Sequence, residues 1–155
     1  AEAPSEGVFV ASQDGSFRIN RPHTMRPQAD LHADALLQIA DLMEEQYLIV
    51  IPDDVQVLQD AGINFEDYQT LIIDQTVGIL ENGSIDDSTS VVVNGLNGSR
   101  HQVSGTIENI DLVYFITLLE GPDAYYQITT WTLSDMVSDN AATLIDASDS
   151  FELTR

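Results

Sequence analysis

The side chains able to do chemistry in this 155-residue chain are three histidines, five arginines and 26 carboxylates, with no cysteine and no lysine. His32 stands between Asp30 and Asp34, and imidazole beside carboxylate is a donor set for a divalent metal. Loop histidines next to acids are ordinarily solvated, so no metal site is assigned; Asp30, His32 and Asp34 are the set from which one could be built. The pairs Glu44-Glu45, Asp53-Asp54 and Asp86-Asp87 could contribute oxygens to Ca²⁺, but none falls in a calcium-loop pattern. His101 shares a strand face with Val103 and Ile107, the place of a core or rim histidine. There is no nucleophile elbow, and thiol chemistry is absent with cysteine. Gly95-Leu96-Asn97-Gly98 lacks the lysine and following helix of a phosphate loop, and reads as a turn. No catalytic residue is assigned and no cofactor is expected, so the chain is read as a non-enzyme.

Arg18, Arg21, His23 and Arg26 form the one positive cluster on a chain of formal charge −21. It could seat an anion or an acidic partner, or it could be consumed by the protein's own acceptors. The remaining surface repels nucleic acid and anionic lipid. Lysine-free acidity also fits a surface exposed to high salt, because the Debye length falls from about 8 Å at 0.15 M to about 3 Å at 1 M. The start at Ala1-Glu2-Ala3-Pro4 rather than Met reads as a mature form left by signal-peptide removal, hence a periplasmic or secreted protein.

The elements that position these groups follow from periodicity. Residues 1–15 read as a flexible N-terminal segment, with a single domain over 16–155. Ser16-Phe17-Arg18-Ile19-Asn20 alternates as a half-buried strand. Residues 36–40 and 47–51 form a hairpin whose second strand, Tyr47-Leu48-Ile49-Val50-Ile51, is apolar on both faces and calls for cover on both. Asn64 is placed to cap a helix with Glu66 and Asp67 in its first turn. Phe65, Tyr68, Leu71, Ile72 and Ile79 make its core-facing stripe. Ile73, Val77 and Leu80 form a second stripe, a candidate partner surface unless the 53–62 loop covers it. Four strands, 89–94, 100–107, 112–119 and 125–131, make a meander. Tyr125, Tyr126 and Trp131 are its aromatic candidates for a binding surface. A last helix is capped by Ser138 and carries Val137, Ala141, Leu144, Ile145, Ser148 and Phe151 on one face. The fold class is α+β: a central antiparallel β-sheet flanked by helices on both faces, an α/β/α sandwich.

Four stretches carry a family resemblance: Tyr47-Leu48-Ile49-Val50-Ile51-Pro52, Asn64-Phe65-Glu66-Asp67-Tyr68, Val93-Asn94-Gly95-Leu96-Asn97-Gly98, and the end from Tyr125-Tyr126-Gln127-Ile128-Thr129-Thr130-Trp131 through Asp149-Ser150-Phe151. In order and spacing they resemble the PsbP-like superfamily, which includes the PsbP subunit of photosystem II, Mog-type Ran-binding proteins and DcrB-like envelope proteins. The resemblance covers the chain from about Ser16 and implies an antiparallel sheet flanked by helices in a non-catalytic binding or assembly protein. It supplies no reactive motif to carry over.

The expected function is therefore an exported, non-catalytic binding or accessory domain that recognises a protein or envelope partner, without nucleic-acid binding or membrane insertion and with no oligomer indicated. The rival is a small-ligand or metal-binding protein, or a hydrolase, with its site near the Arg18 to Asp34 segment. A pocket lined by His23, His32 or His101 with converging carboxylates favours the rival; an exposed stripe at Ile73, Val77 and Leu80 favours the first.

Overall fold

Two antiparallel sheets organise the chain in a computed structural model that describes residues 8–154. A small sheet has the order β1-β2-β10, formed by β1 (Val8–Ala11), β2 (Phe17–Arg21) and β10 (Glu152–Leu153). The large sheet has the order β3-β4-β5-β9-β8-β7-β6, from β3 (Arg26–Pro27), β4 (Leu37–Asp41), β5 (Gln46–Asp54), β6 (Glu81–Val93), β7 (Leu96–Ile107), β8 (Ile110–Glu120) and β9 (Ala124–Leu133). The helices are α1 (Val55–Asp60), α2 (Phe65–Ile79) and α3 (Val137–Asp149). The result is a mixed α/β arrangement dominated by antiparallel sheet, and β6 to β9 form the expected meander.

Regular structure begins before Ser16, contrary to expectation. β1 pairs with β2 from Val8↔Arg21 to Ala11↔Arg18, and the Arg18 guanidinium lies 3.9 Å over the Phe9 ring. Residues 1–7 of the anticipated flexible segment lie outside the described residues.

Local chemistry sets the turns. Asn94 and Gly95, at φ 46° and 86°, provide the two left-handed positions that join β6 to β7. Pro52 sits in β5 beyond the last β4 pairing, Leu37↔Val50, so its missing N–H costs no ladder bond on that side. Both edges of the large sheet resist further pairing: β3 is two residues long and contains Pro27, while β6 carries register shifts beside Asp86 and Asp87.

Alternation along β8 splits its side chains between two cores. Val113 and Phe115 join Ile128 of β9 and Leu144 and Ala147 of α3. Ile116 and Leu118 join Val103 of β7 and Tyr68, Ile72 and Ile73 of α2. A buried amide network ties α3 down: Asn140 Nδ2 donates to Thr132 Oγ1 at 2.9 Å and to the Glu44 carbonyl at 2.8 Å, while its Oδ1 accepts from Gln46 Nε2 at 2.8 Å. Ser138 does not cap this helix; a 3-10 turn at Ser134–Met136 leads into it and Met136 takes the cap position without a side-chain bond. Among the described residues no helix is long and apolar enough to cross a membrane.

Candidate functional site

The capping of α2 fixes where it starts, and its rotation decides what it covers. Asn64 Oδ1 accepts from the Asp67 N–H at 2.8 Å and Asp67 Oδ2 accepts from the Asn64 N–H at 3.3 Å, a reciprocal capping box. From that start, the helix presses Ile73 and Leu80, 5% and 7% exposed, into the core over the β6 to β8 side of the sheet. Gly105 of β7 makes the room, since a Cβ there would lie 2.6 Å from Leu80 Cβ. Leu71 and Ile79, expected in the core, are instead 42% and 67% exposed. The stripe proposed from sequence as a partner surface is thus largely buried: Ile73 and Leu80 are covered, and Val77 is half-buried against them. Tyr125 is buried as well, in an aromatic group with Phe65 and Tyr68.

Because α2 lies over β6 to β8, the same sheet face remains open beside it. The opening is a cleft of about 520 Å³, within the roughly 300–1,000 Å³ range of small-molecule sites. Its floor is Ile49 and Ile51 of β5, Gln127, Thr129 and Trp131 of β9, and Tyr114 of β8. α2 gives one wall through Leu71, Thr76 and Ile79; Leu31, His32 and Asp34 give another, and Leu58 of α1 closes part of the rim. Leu31 and Ala35 hold that second wall by packing on Ile49, Ile51 and Trp131.

Three strands present an aromatic ladder across this face. Trp131 is directly opposite both Tyr47 and Tyr114 in the register. Its ring stacks on Tyr47 at 5.2 Å and 10°, and meets Tyr114 at 5.7 Å and 32°. Tyr47 donates to Glu45 Oε1 at 2.8 Å, and burial followed by that carboxylate pushes its pKa up to about 12. Burial also raises the Tyr114 phenol, so both remain neutral donors around neutral pH.

Asp53 is the half-buried carboxylate of the cleft. Burial holds its carboxyl above the usual range, the Tyr68 phenol donating to Oδ2 at 2.9 Å opposes that rise, and the Asp34 charge adds to it. Sequence reading paired Asp53 with Asp54, but the two do different work. Asp54 Oδ1 caps α1 by accepting from the Gln56 and Val57 N–H groups at 2.8 and 3.2 Å. Among the described residues no arginine lines the cleft.

The remaining candidates are dispersed. Asp30, His32 and Asp34 are exposed, and His32 Nδ1 is engaged by the Asp34 N–H at 3.0 Å. Among the described residues no three histidine or carboxylate groups gather as a metal set. Arg18 is bound to Glu152, with Nε to Oε1 at 2.6 Å. Arg21 donates to the Met25 carbonyl at 2.7 Å and to the His23 carbonyl at 3.2 Å, and Arg26 donates to the same His23 carbonyl. These two arginines brace the 22–25 turn, and His23 is exposed beside them. His101 rests between Ser88 Oγ at Nδ1 and Ser99 Oγ at Nε2, each 2.8 Å away, and burial lowers its pKa. No carboxylate bonds to that imidazole among the described residues, so the serine–histidine contacts lack the orienting acid of a hydrolytic triad.

Sequence reasoning named Trp131, His32 and Asp34 but missed Asp53, Tyr114, Thr129, Ile49 and Ile51 as members of one site. The available signal was parity: 47, 49, 51 and 53 on one strand and 127, 129 and 131 on another share a face once the strands pair.

No protein-family model matches the chain, and no curated protein matches it. Solved structures do. Cyanobacterial PsbP from Synechocystis superposes with a TM-score of 0.60 at 10% identity, over 99% of this chain and 98% of that one. A Pseudomonas aeruginosa protein of unknown function gives 0.59 at 12% identity over 94% and 96%. LpqN, described as involved in cell envelope biogenesis of Mycobacterium tuberculosis, gives 0.56 at 13% identity over 97% and 91%. On these superpositions the chain has the PsbP-like fold.

Proposed function

We propose that this chain is a non-catalytic, accessory-type binding domain whose ligand seat is the cleft between α2 and the β5–β9 face. The observation that carries the reading is the cleft itself, floored by half-buried Trp131 and Tyr114 and rimmed by Leu71 and Ile79, apolar residues of α2 that stay exposed. A ligand that dries this floor gains about 25 cal/mol for each Å² of apolar surface removed from water. The His32, Asp34 and Asp53 side chains around the floor favour the ligand-binding alternative over recognition of a partner through Ile73, Val77 and Leu80. An exported setting is supported by the likeness to LpqN and its envelope description, and a binding role by the PsbP-like fold. The sandwich layering, helices on both sheet faces, is supported by the opposite parities of β8 that α2 and α3 contact.

Amide and indole NMR during titration with phenethyl alcohol, a neutral aromatic probe, tests the seat. Shifts concentrated at Trp131, Tyr114, Thr129 and the 31–35 wall are expected. Shifts centred instead on exposed Leu42, Met43 or Val57, or none, would overturn it.

A further inference from the structure

The cleft joins an aromatic and aliphatic floor to one sign of charge. Among the described residues its formally charged carboxylates are Asp34 and Asp53, with His32 the only basic side chain along the lining. Asp53 is half-buried, and among the described residues its one side-chain hydrogen-bond donor is Tyr68, a neutral phenol. No guanidinium compensates either acid: among the described residues the two arginine–carboxylate pairs are Arg18–Glu152 and Arg100–Asp149. A like-charged pair beside a low-dielectric floor raises the free energy of the empty site, and a cation placed there relieves it. An anionic ligand would meet both carboxylates and the field of the whole molecule at once.

We propose that the cleft takes a small amphipathic organic cation, an ammonium group carried on an aromatic or branched apolar body. The apolar body lies against Trp131, Tyr114, Leu71 and Ile79, and the ammonium faces Asp53 and Asp34. This rests on the cleft being the ligand seat and adds the ligand's charge.

Trp131 is the sole tryptophan of the chain and lies in the cleft, so its emission reports occupancy directly. The test titrates the folded protein, at a fixed ionic strength of about 0.15 M, with three probes of matched apolar body: phenethylammonium, phenethyl alcohol and 3-phenylpropionate. Phenethylammonium should bind about tenfold more tightly than the alcohol, with the carboxylate weakest. Asp53→Asn should abolish most of that preference and Asp34→Asn part of it; Asp34 is exposed, so its variant keeps the test available if Asp53→Asn folds poorly. Asp146→Asn, at an exposed position of α3, removes the same charge and should leave the preference intact. Equal binding of all three probes would overturn the cation proposal while leaving the seat in place. So would a preference that Asp146→Asn weakens as much as Asp53→Asn, since the discrimination would then belong to the net charge. Failure of every probe to change Trp131 emission would overturn both.

Discussion

Asp53 combines partial burial with a phenol donor and a neighbouring acid. Burial raises its carboxyl pKa in the folded state, so between the unfolded and folded values the native protein binds more protons than the unfolded chain. Stability therefore falls as pH rises through that interval, and the deficit persists at neutral pH. Asp53→Asn removes the titration; thermal melts from about pH 3 to pH 7 should show the variant gaining on the native protein as pH rises, whereas parallel profiles would contradict the assignment. Tyr68→Phe removes the donor that opposes the shift, so the Asp53 carboxyl carbon should titrate at higher pH still by NMR. An unchanged or lower midpoint would mean that the phenol does not favour the ionised form. None of this was readable from the Asp53-Asp54 dipeptide, because a strand end and a helix cap send adjacent acids to separate tasks.

At the scale of elements, α2 is where sequence and structure part most instructively. Its start was legible, since Asn64 and Asp67 state a capping box in four residues. Its roll was not: two apolar stripes compete on one helix, and Gly105, on the distant strand β7, decides between them by admitting Leu80. Ile73→Ala should therefore cost about 2–5 kcal/mol, while Ile79→Ala should stay within about 0.5 kcal/mol, in urea unfolding; the reverse order would restore the stripe expected from periodicity. The hairpin itself was plain, but its reversal was expected over Gly95-Leu96-Asn97-Gly98, whereas the left-handed positions are Asn94 and Gly95 and the residues from Leu96 to Gly98 already pair in β7. Helix α1 escaped notice because six residues after Pro52-Asp53-Asp54 carry too little periodicity to separate from a loop. On α3, Asn140→Ala leaves the Gln46 amide without its partner and should destabilise by about 1–3 kcal/mol. A neutral result would show that the buried network does not fasten the helix.

For the whole molecule, the charge of −21 and the PsbP-like fold act on different properties. The apolar pattern gives the sheet and its covering helices, and so the fold was legible from a single chain. The acid excess sets the response to solvent: with five arginines, two of them in ion pairs among the described residues, self-repulsion is screened mainly by salt. The melting temperature should rise from low to high NaCl, and a flat or falling trend would contradict salt screening as a source of stability. The cleft was beyond sequence reading because it is a remainder, the space that α2 and the 31–35 segment leave between them once the roll of the helix is fixed by distant contacts. The most direct measurement is therefore a Trp131 emission titration with phenethylammonium on the native protein and on Thr76→Phe, whose ring would occupy the cleft from the α2 wall. A saturable change in the native protein that disappears in an equally stable Thr76→Phe is expected; an identical titration in both, or none in the native protein, would contradict the cleft as the binding site.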